Sequence, residues 1–205
     1  MERLRAETRP QHVATEAIPF STSILAGTLP MRSYAGQLAA YLPIHRALES
    51  AIGRVVHPAL TAVWAPDMRR VALIEADLDD LDVRDVDRAG IPEGEATAAW
   101  IAGLAASDPI ALLGVLYVLE GSSLGGAFLR RHLAAAYGLG DAGLRYYAPY
   151  GTHPKPHWVA FSARMNATVA DDAAPRVIAA AAETFVRIGR ILSALSDPQR
   201  VAVAV

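Results

Sequence analysis

An all-α fold is what this sequence predicts, on three observations. Apolar residues recur at helical spacing along most of the chain, strand-type alternation is nearly absent, and prolines and glycines sit where helices would start and stop. The 205 residues are 53% hydrophobic and 20% charged, which suits one globular domain over 1–205 with a full core. No internal repeat and no linker divides the chain.

The elements follow in order. A first helix covers about 2–17 and is interrupted by Pro19, and a short turn or helix over 21–27 stops at Gly27. Pro30 opens a long helix to about Val56, bent at Pro43 because an interior proline removes a backbone hydrogen bond. Pro58 starts a short link containing Trp64, and Pro66 opens a helix to about Leu81. Residues 82–92 form an acidic loop with Gly90 and Pro92, and a helix covers about 93–106. Asp108 is a natural N-cap and Pro109 a natural first residue for a helix over about 109–136, which Tyr137-Gly138 ends. Residues 138–156 are a loop rich in glycine and proline. Helices at about 156–168 and 173–195 complete the chain. The second carries an apolar stripe (Val177, Ala181, Phe185, Ile188, Leu192, Leu195) that reads as core.

Composition removes several function classes. A net charge of −2 offers no footprint for nucleic acid. The absence of cysteine excludes disulfides, thiolate metal sites and a cysteine nucleophile. The charged start Met1-Glu2-Arg3-Leu4-Arg5 does not resemble a signal peptide, and no uninterrupted apolar run reaches about 18 residues, so no membrane association is expected and the cytoplasm is the expected location.

The most informative stretch is Tyr117-Val118-Leu119-Glu120-Gly121-Ser122-Ser123-Leu124-Gly125-Gly126, inside the long apolar helix. Each interior glycine costs roughly 1 kcal/mol relative to alanine, so something is expected to lie close against this backbone. That could be a flat ligand or a neighbouring helix. His12 and Glu16 are four residues apart and share a helix face, so the glutamate can hold one ring nitrogen while the other binds a metal. A surface histidine–glutamate pair has the same spacing. Arg5, two turns before His12, shares that face and can meet an anionic group. His45 and Glu49 repeat the spacing, but the Glu-x-x-His motif of bundle di-iron proteins is absent. His153 and His157 flank Pro154 and Pro156 in the loop, and His57 and His132 have no evident partner. Ser122 follows Glu120-Gly121 and so lacks the Gly-x-Ser-x-Gly pattern and the preceding strand of a hydrolase elbow.

Two segments together resemble one family. Residues 4–16 (LRAETRPQHVATE) resemble the proximal helix of heme oxygenases, and residues 117–129 (YVLEGSSLGGAFL) resemble the distal helix of the bacterial, biliverdin-producing members. A weaker likeness to the last two helices of that family runs through Ser162-Ala163-Arg164-Met165-Asn166, Arg176-Val177-Ile178 and Phe185. The resemblance implies a single helical bundle with heme between a proximal and a distal helix. It implies heme b as both cofactor and substrate, O2, and cleavage to biliverdin, carbon monoxide and ferrous iron. Carried over, His12 is the axial iron ligand and Glu16 its hydrogen-bond partner. Gly121, Gly125 and Gly126 bring backbone near the heme, Arg5 and Tyr117 approach a propionate, and Ser122 stands where mammalian enzymes have a distal aspartate. Trp158 and Ser162 fall where further basic residues are expected, with Lys155 and Arg164 nearby. Electrons would come from a separate ferredoxin or flavin-reductase type donor, since the chain carries no flavin or NAD(P) motif, and a bacterial phytochrome could accept the biliverdin. The alternatives are a carrier or sensor that keeps heme intact, and a relative of the same fold with other chemistry, such as a non-heme di-iron oxidase.

Overall fold

A computed structural model of the chain describes residues 1–55 and 57–196; Val56, where the third helix was expected to end, and residues 197–205 of the expected domain lie outside the described residues. The described residues fold into nine α-helices without a strand: α1 (Glu2–Glu16), α2 (Pro19–Ala26), α3 (Met31–Arg54), α4 (Pro58–Val63), α5 (Val71–Leu81), α6 (Ile91–Ser107), α7 (Leu112–Tyr137), α8 (Pro154–Thr168) and α9 (Ala174–Ala194). The proline and glycine signals explain most boundaries. Pro19 opens α2 rather than only closing α1, and Gly27 and Gly138 close α2 and α7 in the left-handed conformation.

Two starts differ from expectation, each because a distant side chain intervenes. Pro66 opens only a 3₁₀ turn over Pro66–Met68, and α5 begins at Val71. There the Glu49 carboxylate of α3 accepts from the backbone N–H groups of Arg70 (2.7 Å) and Val71 (3.0 Å), filling donors that a helix start leaves unsatisfied. Asp108 does not cap the next helix with its side chain. Its carboxylate accepts from Arg176 of α9 at 3.0 Å, a 3₁₀ turn covers Pro109–Ala111, and α7 begins at Leu112.

α9 packs on α1 and on α7, α3 packs on α6 and α5, and α8 packs on α7 and α4. The closest approach of α7 and α9 is at Gly114, where a Cβ would lie 2.1 Å from the Val177 carbonyl oxygen. The first half of α7 is buried on every side, from Leu112 through Glu120. From Gly121 onward one side opens: Ser122, Leu124, Gly125 and Phe128 are exposed, while Ser123, Gly126 and Leu133 stay buried. Pro109–Tyr137 is apolar and long enough to cross a membrane by length and composition, contrary to the sequence expectation, but most of it is covered by the other helices, as in a core helix.

The loop between α7 and α8 is an ordered part of the core rather than a surface connection. Tyr146 and Tyr147 are buried. The fully buried Asp77 carboxylate of α5 accepts from the backbone N–H groups of Arg145 (2.9 Å) and Tyr146 (2.7 Å) and pairs with the Arg145 guanidinium at 3.2 Å. Asp80 also pairs with Arg145.

Candidate functional site

The site is built from two faces beside α9. On α1, His12 is about half exposed, and its Nδ1 lies 3.4 Å from a carboxylate oxygen of Glu16. The ring meets Phe185 of α9 edge-on at 5.6 Å, so one residue of the expected core stripe braces the imidazole instead. Nε2 has no partner among the described residues. Val13 beside it is 52% exposed, and Arg5 is exposed, its guanidinium making no ion pair or hydrogen bond among the described residues. α1 thus presents a cation, a free ring nitrogen and apolar surface together.

On α7 the three glycines of the motif, Gly121, Gly125 and Gly126, divide into different roles. A Cβ at Gly125 would meet nothing within 4 Å, so the backbone there is bare. A Cβ at Gly121 would lie 3.4 Å from the Trp158 indole of α8. A Cβ at Gly126 would lie 2.5 Å from the Tyr147 carbonyl oxygen. Gly126, which the motif groups with the residues near the heme, is buried, and its small size admits the backbone of the loop at Tyr147.

Tyr117 is 8% exposed, with its ring 5.7 Å from that of Trp158. It packs against Trp158 and is not an exposed polar arm. The Ser122 hydroxyl donates to the Leu119 carbonyl (2.7 Å) and Ser123 to that of Glu120 (2.7 Å). Among the described residues no histidine bonds to Ser122, so the serine lacks the adjacent base that nucleophilic catalysis needs. Ser122 also helps stabilise the charged form of the Tyr146 phenol, although burial dominates and raises that phenol well above its ordinary value.

The second histidine–glutamate pair comes apart. His45 is buried, and its Nε2 lies 3.4 Å from the Tyr146 hydroxyl oxygen. Burial, helped by the Arg70 charge, pushes its pKa down to about 3 and keeps it neutral. Glu49 is occupied at the start of α5. Among the described residues no cluster of three or more His, Asp or Glu could hold a metal, so the di-iron alternative lacks a ligand set there. The other histidines have local partners. His57 accepts from the Ala59 N–H at 3.2 Å, His132 packs on Phe128, His153 contacts Thr152, and His157 contacts Asp67 at 3.0 Å.

The sequence reading missed the cluster behind Gly121. Glu120 and Arg70 form a buried pair at 2.9 Å. The Tyr150 hydroxyl donates to Glu120 at 2.6 Å and accepts from Arg70 at 3.0 Å, and the Tyr150 ring stacks on His157 at 3.8 Å. Burial raises the Glu120 carboxyl and Arg70 pulls it back. Partners 50 and 30 residues from Glu120 leave no local signal. Of the basic residues considered near the site, Arg164 is engaged with the Val63 carbonyl at 2.9 Å, while Lys155 is exposed.

Comparison with known proteins identifies the family and the fold. Residues 1–194 match the family model described as heme oxygenase. No curated protein sequence gives a significant match. Heme oxygenase-1 of the cyanobacterium Synechocystis sp. PCC6803, solved in complex with heme, is similar at a TM-score of 0.87 with 21% identity, over 99% of this chain and 94% of that one. Heme oxygenase-2 of the same organism, solved with heme and NO, gives 0.89 with 19% identity, over 98% and 87%. The heme oxygenase of Leptospira interrogans gives 0.82 with 21% identity, over 93% and 96%. At these identities the structures establish a shared fold. With the family model covering nearly the whole sequence, the chain belongs to the heme oxygenase family.

Proposed function

We propose that this chain binds heme b, as both substrate and cofactor, between α1 and α7, and opens it with O2 and external electrons to biliverdin, carbon monoxide and ferrous iron. The supporting observation is a half-exposed His12 with a free Nε2 on one helix and a bare backbone at Gly125 on the other, in a heme oxygenase family chain. Heme, when bound, supplies the iron that takes up oxygen and the meso carbon at which the ring opens.

This chain's residues hold and shape the reaction. His12 would hold the heme iron through Nε2. Glu16 accepts from Nδ1–H, which fixes the tautomer and makes Nε2 a better donor. Gly125 lets the distal helix approach the ring without a side chain between, leaving the remaining space for oxygen. Gly121, one turn earlier, is covered by the Trp158 indole, which continues the wall from that end. Ser122 and the nearby carbonyls hold a water that can donate a proton there, a weaker acid than a carboxyl group. Arg5 pairs with a propionate, and the Tyr117–Trp158 pair closes the wall beside it.

Electrons come from a separate donor of the ferredoxin or flavin-reductase type, in the cytoplasm, with a bacterial phytochrome as one acceptor of the product. A carrier or sensor that keeps heme intact would not need the open face at Gly125. Replacing His12 by Ala tests the reading. The variant is expected to lose the histidine-ligated Soret spectrum, with partial return on adding imidazole. A Soret spectrum unchanged by the substitution would remove His12 as the ligand.

A further inference from the structure

The two distal glycines are not equivalent, because one of them has an aromatic cover. The Trp158 indole carbons lie 3.4 Å from where a Gly121 Cβ would be, in van der Waals range of the α7 backbone. The indole is held there by Tyr117 (5.7 Å) from the preceding turn of α7 and by the buried Phe161 (5.4 Å) from its own helix. His157, the preceding residue, is fixed in turn by its stack on Tyr150 and its contact with Asp67. The indole is therefore anchored from several sides.

Four positions mark the open side of α7 from one end to the other: Gly121 under Trp158, then Leu124, bare Gly125 and Phe128. Phe128 is 48% exposed and is braced by His132 (4.7 Å) and Arg131 (5.5 Å). At 1.5 Å per residue, Gly121 to Phe128 spans about 10 Å along the helix. A flat ligand lying on Gly125 meets an aromatic stop at each end of that span.

We propose that Trp158 is a specificity-determining residue: its indole forms one end wall of the heme cleft and limits how the macrocycle can turn in its own plane against α7, and hence which meso edge is opened. The proposal rests on the heme oxygenase reading above. With the iron tethered by His12, a ring without that wall can turn in its own plane, which presents a different meso edge to the oxygen site. Trp158 donates no proton and binds no iron in this role.

The test compares wild-type protein with Trp158→Ala and Trp158→Leu. Each is loaded with hemin and turned over with a ferredoxin-type reductant in air, and the biliverdin isomers are separated by chromatography. Wild-type protein is expected to give one dominant isomer. Both variants should keep the histidine-ligated Soret band while the ratio of major to minor isomer falls about tenfold, equivalent to about 1.4 kcal/mol of lost discrimination. Trp158→Leu carries the comparison if the alanine variant does not fold. An unchanged isomer ratio in a folded, turning-over variant overturns the end-wall role and leaves the heme oxygenase reading standing. Wild-type protein that binds no hemin, or binds it and does not degrade it, overturns both.

Discussion

Gly125 and Gly126 are adjacent on one helix, and alanine should act on them in opposite directions. At Gly125 a Cβ meets nothing within 4 Å. Gly125→Ala therefore gains the helix-propensity difference, about 1 kcal/mol, without a clash. For a chain of this size that raises the melting temperature of the heme-free protein by about 2–4 °C. At Gly126 the Cβ would lie 2.5 Å from the Tyr147 carbonyl oxygen, backbone that Asp77 holds through the neighbouring Arg145 and Tyr146 N–H groups. Overpacking costs about 1–3 kcal/mol against a propensity gain of about 1 kcal/mol, and the clash is with held backbone, so Gly126→Ala should destabilise by up to about 2 kcal/mol. Heme separates the pair again. If the ring lies on Gly125, a methyl group there pushes it off the backbone, and affinity or turnover should fall at least about tenfold, or about 1.4 kcal/mol. The assays are thermal unfolding of the heme-free variants by circular dichroism and optical titration with hemin. A more stable Gly125→Ala protein with unchanged heme affinity and turnover would refute the placement of heme on this face. A Gly126→Ala protein as stable as wild type would refute the close approach of the loop.

Two further outcomes concern the polar core behind the site. Arg70→Met leaves the Glu120 carboxylate buried without its cation and should cost about 3–5 kcal/mol in urea unfolding, much of it regained in Arg70→Met/Glu120→Leu; an equally unstable double variant would contradict the account of that pair. His45 is neutral in the fold with a pKa of about 3, against about 6.5 in the unfolded chain, so between those values the unfolded state binds the extra proton. Its contribution to stability is therefore complete above pH 6.5 and is lost as pH falls, by about 1.4 kcal/mol per unit. Between pH 6.5 and 5 the wild-type slope should be steeper than that of His45→Gln by this amount, and equal slopes would mean that His45 is not buried in neutral form.

What the sequence made legible was what local chemistry controls. Pro19, Gly27, Pro58 and Gly138 mark helix ends because each sets its own backbone. The propensity cost of glycines within α7 signals close neighbours at Gly121 and Gly126 but not at Gly125, where a Cβ meets nothing within 4 Å, and it does not say which neighbours. Gly126 faces a loop carbonyl and Gly121 an indole, and nothing near them in the chain says so. His12 and Glu16 were readable because a pair one helical turn apart needs no tertiary information. His45 and Glu49 have the same spacing, yet Tyr146 and the start of α5 claim them separately. The loop before α8 is legible as a loop from its glycines and prolines, but not its burial. Asp77 draws its backbone into the core and buries the two tyrosines. In each of these cases the deciding partner is far away in sequence.

The most direct test of the central claim is an optical titration of the wild-type protein with hemin, followed by a ferredoxin-type reductant in air. The account predicts a one-to-one complex with a histidine-ligated Soret band, which decays as a broad absorbance near the red end of the spectrum grows and releases biliverdin. A complex whose Soret band persists unchanged under reductant and oxygen would contradict it.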